Sequence, residues 1–214
     1  MLFLVAVIGL VIFGCARTCH YAEGWIFLAE FLICTILITA FLWMKDKALL
    51  QRRVKAGPVA EKQKMQQIIQ SFASLSFIGI FAVSAYDHFH QAKIFPGNIE
   101  LLGNALIALG FFIVLLVFRE NTFTSATIEV DKKQKVVMSG PYAIVRHPMY
   151  AGAFILLAGI PLSLGSYLGL LMIIPMIVVI ILRLLDEEKL LKKELEGYDE
   201  YLRTVKWRII PFVW

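Results

Sequence analysis

Apolar and polar residues alternate along this chain in long blocks, the pattern of helices that cross a bilayer. Residues 2–16 are apolar, but a helix there needs residues 17–20 to approach the ~20 residues that a span takes. Residues 25–44 predict a second span, with Trp25 and Trp43 near its ends, where amphipathic rings favour the interface. Glu30 lies inside it. An intramembrane carboxylate is a functional candidate by default, although one about two turns from a helix end also reads as snorkelling or hydrogen-bonded to another helix. Residues 45–67 are polar and basic, with Gly57 and Pro58 interrupting a helical pattern. Residues 68–86 and 99–118 predict two further spans, joined by a short linker at 87–98.

Residues 119–150 form a second polar loop, in which TIEV and KVVM flank Asp131 to Gln134 in a hairpin-like pattern. Residues 151–182 are then apolar throughout, and as one helix would run ~48 Å against a hydrocarbon core of ~30 Å. Gly159, Pro161, Gly165 and Gly169 cluster near the middle of this run, so it predicts a helical hairpin with two short arms sheltered by other helices. Residues 183–214 are a charged, helix-favouring tail with a break at Gly197. Leu184, Leu185, Leu190, Leu191 and Leu195 suit an amphipathic helix against the membrane or the protein. The expected architecture is an all-α integral membrane protein: four transmembrane helices in 1–118, then a C-terminal unit in 119–214 made of loop, helical hairpin and tail.

Composition narrows this. With 59% hydrophobic residues and a mean hydropathy of +0.76, an ordinary soluble protein is excluded. A net charge of +5 would raise nucleic-acid binding in a soluble chain. Here all Lys and Arg except Arg17 and Lys93 lie in residues 45–67, 119–150 and 183–214. The positive-inside rule makes those segments and both termini cytoplasmic, so no nucleic-acid partner is expected. Cys15, Cys19 and Cys34 lack ligand spacing and read as small core thiols. Residues 11–15 faintly resemble a lipoprotein cleavage box, but no basic region precedes them, and the first segment reads as a retained helix. Asp87, His88 and His90 have a metal-like spacing with nothing further to complete a shell, so the linker reads as solvated and no metal is expected.

The candidate chemistry centres on GPYAIVRHPMYAG at 140–152. A hairpin starting after Tyr150 and returning at Arg183 brings Arg146, His147 and Tyr150 near Glu187 and Glu188, and the tail adds Tyr198, Tyr201, Arg203 and Arg208. Each residue has a plainer role open to it. Arg146 can anchor to phosphate headgroups, His147 can cap a helix, and Tyr142 and Tyr150 can belong to an aromatic belt. Glu187 and Glu188 can form a solvated face paired to Lys192.

Taken together, GPYAIVRHPMYAG, the DEE after the hairpin, the spacing of Tyr198, Tyr201 and Pro211, and a weaker echo at Asn121, Phe123 and Ser125 resemble a known family. It is that of the membrane-embedded methyltransferases, which includes isoprenylcysteine carboxyl methyltransferase and the phospholipid N-methyltransferases. The resemblance implies S-adenosylmethionine as methyl donor and S-adenosylhomocysteine as product, at the cytoplasmic mouth, with a lipophilic acceptor arriving from the bilayer. It implies that Tyr142, Arg146, His147, Pro148, Tyr150 and Gly152 shape the cofactor pocket, that Glu187 and Glu188 contact the cofactor, and that Tyr198 and Tyr201 join them. Carboxylates suit hydroxyl or ammonium groups, and aromatic rings attract a sulfonium cation.

If the acceptor is the carboxylate of a prenylcysteine-like molecule, it attacks as an anion, and positioning carries the rate. An arginine gripping that carboxylate is then expected, with Arg183 and Arg208 as candidates. An amine acceptor, as in phospholipid N-methylation, would need a base such as His147 or Glu187. The rival enzyme class, NADPH-dependent sterol-type reductases, often carries an acidic residue where this chain has Ala153. A non-enzymatic scaffold or transporter is a different class, but there is no internal repeat to support a transporter.

Overall fold

Apolar blocks become helices because a peptide group in hydrocarbon can bond only to its own chain. The computed structural model describes residues 2–61, 63–90, 96–131 and 133–214. Lys62, Lys93 and Lys132, which enter the charge distribution above, lie outside the described residues, as does the linker at 91–95. The helices in chain order are α1 (Leu2–Ala16), α2 (Ala22–Lys45), α3 (Lys47–Val54), α4 (Lys64–Phe89), α5 (Gly97–Glu120), α6 (Pro148–Ser163), α7 (Tyr167–Leu171), α8 (Ile173–Glu194) and α9 (Tyr198–Thr204).

Among the described residues four helical segments are long and apolar enough to cross a bilayer, but their membership differs from expectation. They are α2, α4, α5 and the α7–α8 unit at 167–194. The first helix does not borrow residues 17–20. It stops at Ala16, where Arg17 turns left-handed at φ 52°, leaving α1 roughly 22 Å long at 1.5 Å per residue. The apolar run breaks at 164–166, with Gly165 at φ 68°, and α8 then continues through Glu194. The charged tail therefore does not begin as a separate element at Arg183. LDEEKLLKKE is rich in strong helix formers, and the onset of charge changes the solvent around the helix, not its backbone.

Two further expectations are corrected. Among the described residues TIEV and KVVM form no strands. The turn bond from Gln134 N to Asp131 O is present at 2.9 Å. However, Ile128 N donates to Glu61 Oε2 at 3.3 Å and Ala126 O accepts from Arg183, so backbone groups at and just before the first flank bond elsewhere. Nor is the start of the 87–98 linker solvated. Asp87 closes α4 with 5% exposure, accepting from Ser166 Oγ at 2.5 Å and Leu168 N at 3.0 Å, while His88 stacks on Tyr21. These contacts fasten the far end of α4 to the α6–α7 turn. Glu30 is half-buried, and its Oε2 has no hydrogen-bond partner among the described residues.

The tightest packing joins α5 to α6. Gly103 and Gly110 on α5, like Gly152 and Gly159 on α6, stand two turns apart on one helix face. A Cβ at Gly110 would lie 2.7 Å from Gly152 O, and one at Gly159 would lie 2.6 Å from Gly103 O. Only hydrogen fits, and the two backbones touch as small-residue helix pairs do in membranes. This contact crosses residue 118, the boundary expected between the two units. Large apolar side chains such as Leu10, Leu37, Phe72, Leu101 and Ile174 face outward, as a lipid solvent permits.

Candidate functional site

The site is built where the start of α6 meets the end of α8. Pro148 occupies the first turn of α6, where its missing N–H costs nothing. Ahead of it, residues 140–147 are held by the C-terminal segment, which runs back after α9. Arg146 N donates to Trp207 O and His147 N to Arg208 O, both at 2.9 Å, and Tyr201 OH donates to Tyr142 O at 2.7 Å. Leu195, Tyr198, Tyr201 and Val205 form a small core against Tyr142 and Val136. Of the two surfaces open to the charged tail, the membrane or the protein, its last part thus packs onto the protein, at the loop 140–147.

Glu188 is the centre of this fastening. Its Oε1 pairs with Arg146 Nε at 3.0 Å and His147 Nε2 at 3.3 Å, and its Oε2 with Arg208 Nε at 3.0 Å. The side chain is 5% exposed, and both oxygens are engaged by protein cations or by imidazole. It ties three segments together and does not line the adjoining cavity.

That cavity measures about 570 Å³, within the usual range for small-molecule sites. At one end stand Tyr142, Tyr150, Glu187, Tyr198 and Tyr201; the other end is apolar, with Phe31, Phe77, Phe111, Leu157, Met176 and Ile180. Helices α2, α4, α5, α6 and α8 all contribute, so the apolar end lies among the spans. Tyr150 OH donates to Glu187 Oε2 at 2.6 Å. Tyr142 OH accepts from Asn121 Nδ2 at 3.1 Å, and burial pushes the Tyr142 hydroxyl up to about 12. Burial likewise raises Tyr198 and Tyr201 well above the ordinary tyrosine value, so all three stay protonated donors at neutral pH. The Tyr198 hydroxyl is buried with no hydrogen-bond partner among the described residues, an uncommon state for a native donor.

The sequence candidates therefore separate. Tyr142, Arg146, His147, Pro148, Tyr150, Glu187, Tyr198, Tyr201 and Arg183 line the cavity, as do Asn121, Phe123 and Ser125. Gly152, Glu188 and Arg208 do not. Gly152 faces α5, where an added Cβ would meet Gly110 O and Ile113 at 3.1 Å, so its close approach serves helix packing. Arg208 pairs with Glu188 and lies over the Trp214 ring. Arg183 is neutralised by Glu61 at 2.7 Å and also donates to Ala126 O at 2.8 Å and Gln70 Oε1 at 3.0 Å.

Polar residues near the cavity that sequence does not single out include Arg53, Glu61 and Gln70. All three fall in or just after the basic loop at 45–67, where the charge balance was their visible signal. Glu61 is the lone acid between Asp46 and Asp87, and as such a trace of a buried pairing.

The donor set fits the cofactor that the motifs imply. A cavity-facing carboxylate, a buried tyrosine hydroxyl without a partner and several aromatic faces suit a cationic ligand that bears hydroxyl groups. Residues 99–196, just under half of the chain, match the model of the phospholipid methyltransferase family, a family of integral membrane methyltransferases. The match begins with α5 and ends just after α8, so it covers both helices of the glycine-packed pair and Glu187. A comparison with curated proteins found no match.

Proposed function

We propose that this chain, whose residues 99–196 carry the phospholipid methyltransferase pattern, transfers a methyl group from S-adenosylmethionine to a lipophilic acceptor drawn from the bilayer. The observation that carries the reading is the two-ended cavity, with a polar end of tyrosines and Glu187 continuous with an apolar end among the spans. The cofactor, when bound, supplies an activated methyl group on a sulfonium sulfur. The protein's own residues do the rest. Glu187 and the Tyr198 hydroxyl are placed to take hydroxyl or ammonium groups of the donor. The rings of Tyr142, Tyr150 and Tyr201 offer faces to a cation. Glu188, Arg146 and Arg208 hold the loop at 140–147 against the C-terminal segment, so these groups are preorganised.

The finer reading is O-methylation of a prenylcysteine-like carboxylate. Such an acceptor is already an anion and needs no base. Its prenyl chain suits the end lined by Phe31, Phe77 and Phe111. A second reading, N-methylation of a phospholipid amine, is favoured by the position of Glu187. That carboxylate stands in the cavity and can take the proton an ammonium must lose before it attacks. On the charge distribution, the site belongs at the cytoplasmic surface, with residues 119–214 as the core of the methyl-transfer unit and Phe31, Arg53, Phe77 and Phe111 completing its cavity.

The test is labelled methyl transfer over prenylcysteine analogues and lipid extracts, followed by mild base. Base-labile label on a prenylcysteine product is expected. Base-stable label would exclude the carboxylate acceptor and select the amine.

A further inference from the structure

The cavity wall holds a cation that the proposed donor site does not use. Arg53 sits on α3, which is fixed in three ways. Asp46 Oδ1 accepts from Leu49 N at 2.9 Å at the start of the helix, and Leu49 is wholly buried in a cluster with Leu42 and Phe118. The exposed neighbouring contact is Arg52 Nη1 to Thr122 O at 2.7 Å. With Arg52 on the outside of this loop, Arg53 turns inward. Its Nη1 donates to Ser125 O at 2.9 Å, and its guanidinium lies 5.3 Å over the Phe118 ring.

Among the described residues, no carboxylate lies within ion-pair distance of Arg53. The other cavity arginines have carboxylate partners, Arg146 sharing Glu188 with Arg208 and Arg183 pairing with Glu61. Burial lowers the Arg53 pKa, and the neighbouring Arg183 adds to this, while Glu187, beyond ion-pair distance, opposes it only in part. A guanidinium has five N–H donors in a rigid fork, and the contact with Ser125 uses one of them. The wall beside it carries Phe31, Phe77, Phe111 and Val114.

We propose that Arg53 receives the anionic headgroup of the acceptor, a carboxylate or phosphate oxyanion, while the acceptor's single apolar chain lies along the Phe31, Phe77 and Phe111 wall. This rests on the reading of the cavity as the acceptor site of a methyl transfer. It replaces Arg183 and Arg208 with Arg53 as the cation that orients the acceptor. The class it selects is an anionic amphiphile, and it predicts discrimination against neutral and cationic ones of the same chain length.

The test uses the full-length protein in phosphatidylcholine nanodiscs and the fluorine resonance of three probes with a terminal trifluoromethyl group: trifluorododecanoate, trifluorododecyl phosphate and trifluorododecanol. S-adenosylmethionine binding is measured on the same samples. Arg53→Gln should weaken at least one anionic probe roughly ten- to a hundredfold, the range for losing a charged hydrogen-bonded contact, and leave the alcohol and S-adenosylmethionine unchanged. The anion that loses most identifies the headgroup. Arg53→Lys should restore part of the binding, and Lys55→Gln, which removes an exposed cation next to the same helix, should bind as the unaltered protein does. Equal anion binding by Arg53→Gln, or equal loss of anion and alcohol, overturns the assignment. Failure of the unaltered protein to bind S-adenosylmethionine instead overturns the underlying reading, independently of Arg53.

Discussion

Arg146 Nε lies 3.0 Å from Glu188 Oε1, joining the loop before α6 to the last turns of α8 inside a nearly dry contact. Arg208 approaches the other oxygen of the same carboxylate from the C-terminal segment. One buried acid thus pairs with two arginines, and its loss leaves both without their carboxylate, which costs about 3–5 kcal/mol in buried pairs. Glu188→Gln is therefore expected to release the C-terminal segment. Limited proteolysis should cut the variant after residue 194 much faster than the unaltered protein; equal resistance would show that the fastening lies elsewhere.

Tyr198 and Tyr201 are neighbours with opposite expectations. The Tyr201 hydroxyl donates to Tyr142 O, so Tyr201→Phe should lower stability by about 1 kcal/mol and lower the apparent melting midpoint. The Tyr198 hydroxyl is buried without a hydrogen-bond partner among the described residues, so Tyr198→Phe should leave the melting midpoint unchanged or raised. It should also weaken S-adenosylmethionine binding several-fold, by about one net hydrogen bond. A destabilised Tyr198→Phe with normal binding would contradict its role.

Glu61 and Arg183 are 122 positions apart and form a buried pair. Glu61→Gln should destabilise the fold by about 3–5 kcal/mol because it strands a guanidinium, and the double variant Glu61→Gln, Arg183→Gln should recover much of that loss. Thermal unfolding of the two variants checks it, and an additive double variant would show that the two do not act as a pair.

How much of this was legible follows from what a sequence records. Apolar length located α2, α4 and α5, and the glycine cluster the break at 164–166, because lipid exposure and backbone freedom are local properties. The end of α1 depended on Arg17 adopting a left-handed backbone, which residue identity does not announce. The extent of α8 is not legible in the sequence, because the onset of charge at Arg183 marks a change of solvent and not the end of a helix. Gly152 was visible as a point of close approach, yet the approaching partner is α5, since spacing tells which face is bare and not what covers it. The Glu61–Arg183 pair and the inward turn of Arg53 come from tertiary placement, for which separate loops carry no shared pattern. The tyrosines and Glu187 were found because their types and order fall within one short stretch and its return.

The glycine contact between α5 and α6 offers a separate check. Gly159→Ala places a methyl where Gly103 O stands 2.6 Å away and Ile107 N 3.0 Å away, both backbone atoms that cannot swing aside. A loss of about 1–3 kcal/mol is expected from overpacking. Gly14→Ala, where an added Cβ meets nothing within 4 Å, should be neutral or stabilising, as alanine favours a helix. Unfolding midpoints in matched nanodiscs compare the two, and equal effects would refute the close packing.

The cavity bounded by Tyr142, Tyr150, Glu187 and Tyr198 is the proposed seat of the methyl donor. Equilibrium binding of labelled S-adenosylmethionine to the protein in phosphatidylcholine nanodiscs measures this most directly. Saturable binding, competed by S-adenosylhomocysteine but not by NADPH and weakened at least tenfold in Glu187→Ala by loss of a charged contact, is the predicted result. Saturable binding of NADPH with none of S-adenosylmethionine would contradict it.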